Sequence, residues 1–287
     1  MSVAAINHST SLCEWNLSGF GDEISADPSV QCAVLLALGA RHIEVRSAWD
    51  VNVVDLSAEQ LIMLRSIIDE AGMTVSAIAS PIGKVDIGVT VASEVARLER
   101  VLDAAELLGT RFVRIFSFYL GERDPDSIRD EVIERMLALT GAAAARDVVL
   151  LHENEKNIFG DIPRRVVDIL QTVNSPHLRA AWDSANFVQV GVQPYADAFE
   201  AIAPYIEYLQ IKDALMASAE VVPAGDGDGD VSQVVGALRE RGYRGFASLE
   251  PHLSAAFSTG GFSGPESFGI AARAFAKIAA DNGVVLR

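Results

Sequence analysis

Two cysteines, Cys13 and Cys32, are all the thiol that 287 residues contain. With no C-x-x-C spacing they frame neither a disulfide scaffold nor a zinc knuckle, and packing is their expected role. Positive charge is scarce as well: 23 Lys and Arg stand against 39 Asp and Glu, for a net charge of -16. A nucleic-acid-binding surface replaces counterions through a basic patch, so no nucleic-acid partner is expected. No apolar run approaches the ~18 residues needed to cross a bilayer. The opening stretch "MSVAAINHSTSLCEW" has no basic region leading into a sustained apolar one. Neither a membrane span nor a signal peptide is expected, and the cytoplasm is the expected location. Linker-like and low-complexity stretches are missing too, which argues for one domain over 1–287 with residues 1–14 as an N-terminal extension. Finally, no strand-like run leads into G-x-G-x-x-G or a Walker loop, which removes the usual argument for nucleotide binding.

What is present is an alternation. Eight short apolar or alternating runs recur: "WNLSGFGDEI" (15–24), "HIEVRS" (42–47), "MTVSAIASP" (73–81), "FVRIFSF" (112–118), "VVLLHEN" (148–154), "LRAAWDSAN" (178–186), "IEYLQIKDA" (206–214) and "GFASLEPH" (245–252). Segments of helical period separate them, several with recognisable starts and stops. Asp27-Pro28 opens one and Gly39 follows it; Ser57 opens another, with Glu59 and Gln60 in its first turn, and Gly72 ends it. Crossover helices return the chain to the same end of a sheet, so strands in this order run parallel. A doubly wound sheet shares the alternation. With eight units and no nucleotide loop, a single (β/α)8 TIM barrel is the expectation.

In such a barrel chemistry gathers where strands end. Strand five ends in His152, Glu153, Asn154 and Glu155, strand six in Asp183, strand seven in Gln210, Lys212 and Asp213, and strand eight in Glu250 and His252. Glu153, Asp183, Gln210 and Glu250 are each about one βα unit apart, so they can converge. Three carboxylates in one partly buried mouth repel unless protonated or bridged by a cation. Oxygen donors suit Mn²⁺ or Mg²⁺ better than a structural zinc ion. Taken singly, a strand-end carboxylate is more often a cap or a salt-bridge partner, and Asp213 is read that way. Arg114, inside a strand, must be paired or reach the mouth, and Glu44 of strand two is its expected inward partner. Residues 224–231 carry the Asp-Gly spacing of a calcium loop, but Ala237 stands where its bidentate glutamate should be. That stretch reads as a turn, with Asp230 capping the next helix. The glycine-rich "STGGFSG" (258–264) reads as either a lid or a plain connection.

The stretches "HENEK", "WDSANF", "QIKDA" and "VPAGDGDGDVSQVVGALRERGYRGFASLEPHL", in this order and spacing, resemble the xylose isomerase-like barrel superfamily. Within it the resemblance is to the sugar isomerase/epimerase branch that includes D-tagatose 3-epimerase-like enzymes; "SAIASPIGK" and "VRIFSF" read the same way. It implies one divalent cation, Mn²⁺ or Mg²⁺ ahead of Co²⁺ or Zn²⁺, held by Glu153, Asp183 and Glu250, with Gln210 in the slot of the family's histidine. It implies an isomerase or epimerase of a small sugar or sugar derivative. Glu153 and Glu250 would be the acid and base of an enediolate mechanism, and Lys212, Asn186, His252 and Arg114 would contact substrate. A small carbohydrate as partner and a homo-oligomeric state follow from the same likeness. The alternatives are a metal-dependent dehydratase of a keto-polyol and, because glutamine replaces histidine, a non-catalytic sugar-binding barrel. An abasic-site endonuclease fits poorly with an acidic chain holding five histidines.

Overall fold

The computed structural model describes residues 13–253 and 263–287. Eight strands lie where the alternation predicts them: β1 (Cys13–Gly19), β2 (His42–Val45), β3 (Thr74–Ala79), β4 (Phe112–Ile115), β5 (Val149–Glu153), β6 (Leu178–Asp183), β7 (Ile206–Ile211) and β8 (Phe246–Leu249). A ninth, β9 (Val284–Leu286), was not foreseen. Each strand pairs in parallel with its neighbours in the order β9-β1-β8-β7-β6-β5-β4-β3-β2. The ring closes through one parallel bridge between Phe20, just past β1, and Glu44 in β2. The first half of β1 pairs with β9, Cys13 opposite Val284, and its second half with β8, Asn16 opposite Phe246. Cys13 and Glu14 thus belong to β1, though they fell within the expected extension 1–14. The strand also stops at Gly19, short of residue 24, because Gly21–Glu23 turns into a 3-10 helix.

The helices that cover the ring are α1 (Pro28–Ala37), α2 (Ala58–Glu70), α3 (Val91–Leu108), α4 (Pro125–Ala145), α5 (Pro163–Val173), α6 (Ser184–Val188), α7 (Val231–Glu240) and α8 (Gly264–Asp281). Their starts follow the sequence signals. The Asp27 side chain accepts from the Ser29 amide ahead of Pro28, and Ser57 and Gln60 form a reciprocal capping box. Asp230 is a correction: it precedes α7 at φ +52 and its side chain caps nothing there, accepting instead from the Tyr195 amide. The acidic turn before it is organised by Asp213, whose carboxylate accepts the amides of Ala214, Gly225, Gly227 and Gly229. Glycine is required at 227 and 229, where a Cβ would lie 2.4 and 2.5 Å from Asp213 Oδ1. Both cysteines are buried free thiols, as packing residues should be. Most of residues 258–264 fall outside the described residues.

Alternate residues of a strand face the same side, and three tiers fill the barrel. At the bottom Phe112, Tyr208 and Phe246 lie within 6.4 Å of one another by ring centroids, closing the floor with Ala77, Val149, Leu151 and Ala181. Above them is a hydrogen-bonded polar tier. Ser18 meets Ser76, Ser76 meets the Tyr208 hydroxyl, and that hydroxyl donates to Glu44. The top tier, at the strands' C-terminal ends, is charged. Along β7 and just past it the climb runs Tyr208, Gln210, Lys212; along β8 it runs Phe246, Ser248, Glu250.

Candidate active site

Glu153, Asp183 and Glu250 meet at the mouth. All three are buried, and each offers an oxygen within 4.8 Å of the others'. Their positions come from strand ends. β5 and β8 deliver the glutamates, while Asp183 closes β6 and caps α6, its Oδ1 accepting from the Asn186 amide at 2.9 Å. Asn154 ties β5 to β6, donating to the Asp183 carbonyl and accepting from its amide.

Each carboxylate has its own surroundings. Arg114 donates to Glu153 Oε2 at 2.7 Å, and Asn186 Nδ2 donates to Glu153 Oε1 at 2.9 Å. Glu250 lies against three basic side chains: Arg46 at 3.1 Å, His252 at 3.0 Å and Lys212 at 3.2 Å. Among the described residues Asp183 Oδ2 has only the Lys212 ammonium, 2.8 Å away, and no well-directed hydrogen bond. Burial opposes ionisation of Glu250, yet Lys212, His252 and Arg46 hold its carboxyl well below the usual range. Burial pushes Asp183 up to about 7; Lys212 pulls the other way, while Glu153 and Glu250 add repulsion. The Lys212 ammonium, also penalised by burial, is kept well above its usual range by Asp183, Glu250 and Glu153.

One tier down, Gln210 Nε2 donates to Glu44 Oε1 at 3.1 Å, and its own Oε1 is buried without a hydrogen-bond partner among the described residues. Glu44 itself is pushed up to about 7 by burial, against the pull of Arg114. Over the triad opens a cavity of about 440 Å³, lined by Arg46, Lys84, Arg114, Glu153, Glu155, Lys212, Glu250 and His252 among others.

The profile of one family, the xylose isomerase-like TIM barrels, matches residues 32–278. The chain belongs to that family. Among solved xylose isomerase-like barrels, a Mycobacterium smegmatis protein in complex with magnesium shares 19% identity, over 96% of this chain and 97% of that one, at a TM-score of 0.71. A D-tagatose 3-epimerase-like protein shares 14% over 93% and 97%, at 0.72. These likenesses show the fold. In sequence, the 2-epi-5-epi-valiolone 7-phosphate 2-epimerase of Actinoplanes sp. is 28% identical over 178 residues. That match covers 61% of this chain and spans 64% of the relative's length.

In this xylose isomerase-like barrel the structure assembles the three expected carboxylates and brings Lys212 and His252 to them. Arg114 also reaches the mouth, and there the expectation fails in one respect: it pairs with Glu153, not Glu44. Both are interior residues, but Glu44 belongs to the tier below, bonded to Tyr208 and Gln210. Asn186 lies behind the triad with both amide hydrogens engaged, one by Glu153 and one by the Asn154 carbonyl. His152, on the opposite face of β5 from Glu153, is buried with neither ring nitrogen bonded among the described residues, and burial lowers it to about 4. Four residues at the mouth were given no role by the sequence. Arg46 binds Asp22 and Glu23 as well as Glu250, and Lys84 pairs with Glu155 at 2.9 Å. Arg46 had a signal, since it stands two residues after Glu44 and so shares its inward face. Lys84, in "SPIGK", and Asp22-Glu23 follow strands in segments without a period. Among the described residues no helix is long and apolar enough to cross a membrane.

Proposed function

We propose that the chain is a divalent-metal-dependent isomerase or epimerase of a small sugar or sugar derivative. The observation that carries the reading is that two buried glutamates, Glu153 and Glu250, line one cavity at the mouth with buried Asp183 within 4.8 Å of both. The epimerase name of the sequence relative supports the reaction class. The donor set fits a hard cation such as Mn²⁺ or Mg²⁺: three carboxylates meet at the mouth, and one tier below them Gln210 Oε1 is buried with no partner among the described residues. Bound there, the cation supplies a Lewis acid for the carbonyl and adjacent hydroxyl of the substrate.

The chain's own groups do the rest. Arg114 and Asn186 fix both oxygens of Glu153, so its carboxylate is oriented before substrate arrives. Glu250, held ionised by its cationic neighbours, takes the proton from the carbon beside the carbonyl. Glu153, protonated when substrate binds, gives its own proton from the other side of the barrel mouth, which inverts that carbon, and exchange with solvent then restores both groups. Return to the neighbouring carbon would isomerise instead. Lys212 and Arg114, both lining the cavity, donate to substrate oxygens. His252 bridges Glu250 and Glu23 and keeps the acid–base glutamate aimed at the cavity.

The test is carbon-bound deuterium uptake in D₂O. Ketoses and cyclic polyol ketones would be incubated with Mn²⁺-loaded protein and followed by NMR and mass spectrometry. Exchange is expected for at least one of them, falling by about 10²–10⁴-fold in Glu153→Gln and in Glu250→Gln. Stable loss of water from substrate would replace the isomerase with a dehydratase. Ligand binding without exchange would make the protein a sugar-binding barrel.

A further inference from the structure

The cavity is lined by five carboxylates (Asp22, Asp50, Glu153, Glu155 and Glu250) and four cations (Arg46, Lys84, Arg114 and Lys212). Buried against the same groups are three more carboxylates, Glu23, Glu44 and Asp183. Counting histidine as neutral, even a divalent cation on the triad does not make this assembly positive. Each of the four cations already stands within 3.2 Å of a carboxylate: Arg46 with Asp22, Glu23 and Glu250, Lys84 with Glu155, Arg114 with Glu153, and Lys212 with Asp183 and Glu250. Residues 1–12 and 254–262, outside the described residues, contain no lysine or arginine. A phosphate ester carries about 1.5 to 2 negative charges near neutrality, and sites that hold one supply cations free to pair with it.

Lys84 is the cation nearest to serving that purpose. Its side chain is 32% exposed, against 15% or less for the other three. Its ammonium lies over the Phe116 ring, 4.2 Å from the centroid, and both side chains line the same cavity as Glu153 and Glu250. Glu155 occupies it at 2.9 Å. We infer that this cavity takes an uncharged ketose or cyclic polyol ketone and rejects the corresponding phosphate ester, with Glu155 setting that preference by holding Lys84. The inference rests on the reading that this cavity is where substrate binds.

The experiment uses inorganic phosphate as probe, titrated calorimetrically into the full-length protein with Mg²⁺ present. The wild type is expected to show no saturable binding up to about 10 mM. Glu155→Gln leaves Lys84 without its carboxylate and should tighten phosphate binding by at least about tenfold, a gain that Lys84→Met in the same chain abolishes. The wild-type titration by itself keeps a test in hand if the Glu155 variant does not fold. Saturable binding by the wild type in that range overturns the inference. So does a folded Glu155→Gln protein that gains no phosphate binding, or a gain that Lys84→Met leaves intact. None of these readouts needs turnover, so absent deuterium exchange would remove the proposed reaction while leaving the charge assignment standing.

Discussion

The two halves of the barrel meet in one site, and most of its ion pairs run between them. β1 to β4 and their loops bring three of its four cations, Arg46, Lys84 and Arg114, together with Asp22, Glu23, Glu44 and Asp50; β5 to β8 bring Glu153, Glu155, Asp183 and Glu250, together with Lys212. The pairs run across the halves: Arg114 to Glu153, Lys84 to Glu155, Arg46 to Glu250. Asp183 is the exception: among the described residues it has no cation from the first half and only Lys212 of its own half beside it. It is also the carboxyl pushed up to about 7, while Glu250, with cations from both halves, is held well below the usual range. Acids that are equally buried thus differ in charge because of which partners the opposite half supplies.

The largest test of that contrast is Lys212→Met. It leaves Asp183 with no cation and Glu250 with its first-half partner, and should cost the metal-free protein about 3–5 kcal/mol at pH 8. Asp183, a carboxyl raised by burial, keeps its proton more readily as the pH falls below 7, so the penalty should shrink towards pH 6. Added Mn²⁺ should recover stability at pH 8. Urea unfolding at the two pH values checks this, and an equal loss at both would break the comparison. Next is Arg46→Gln, which removes the link from Asp22 and Glu23 to Glu250. A loss of about 2 kcal/mol is expected, as for a charged hydrogen bond. The Glu250 carboxyl should rise, moving the acid limb of the exchange rate to higher pH. An unmoved limb would mean that Lys212 and His252 suffice.

The smallest effect lies on the outer face of β5. His152 is neutral in the fold, lowered by burial to about 4 from 6.5, so it favours folding fully above pH 6.5 and progressively less as the pH falls. Between pH 6.5 and 5.5 it should account for about 1 kcal/mol of lost stability. His152→Leu should lose that part of the acid slope. If the slope stays, the acid sensitivity belongs to the mouth.

The carboxylates of the second half were legible in the sequence and the cations of the first half much less so. Glu153, Asp183 and Glu250 each end an apolar run, where a buried strand has no other reason to turn polar, and they recur at the spacing of the βα unit. Arg46 and Lys84 acquire their meaning only from Glu250 and Glu155, 204 and 71 residues away, and no local pattern encodes such pairs. The misassigned partner of Arg114 has the same origin. Alternation told which residues face inward but not at which height, and height separates Glu44 from Glu153. β9 was missed because three residues after a helix carry too little periodicity to register.

The pairing of β1 has a consequence for how the chain acquires its fold during synthesis. Its two ladders are with β8 and β9, whose residues emerge from the ribosome some 230 or more positions later. Until then Trp15 and Leu17, buried in the finished molecule, lack their final neighbours. Such distant pairing slows folding and leaves an unpaired edge open to other chains. β1 is therefore among the last strands to be secured, and a nascent chain halted before residue 246 would be expected to need a chaperone there.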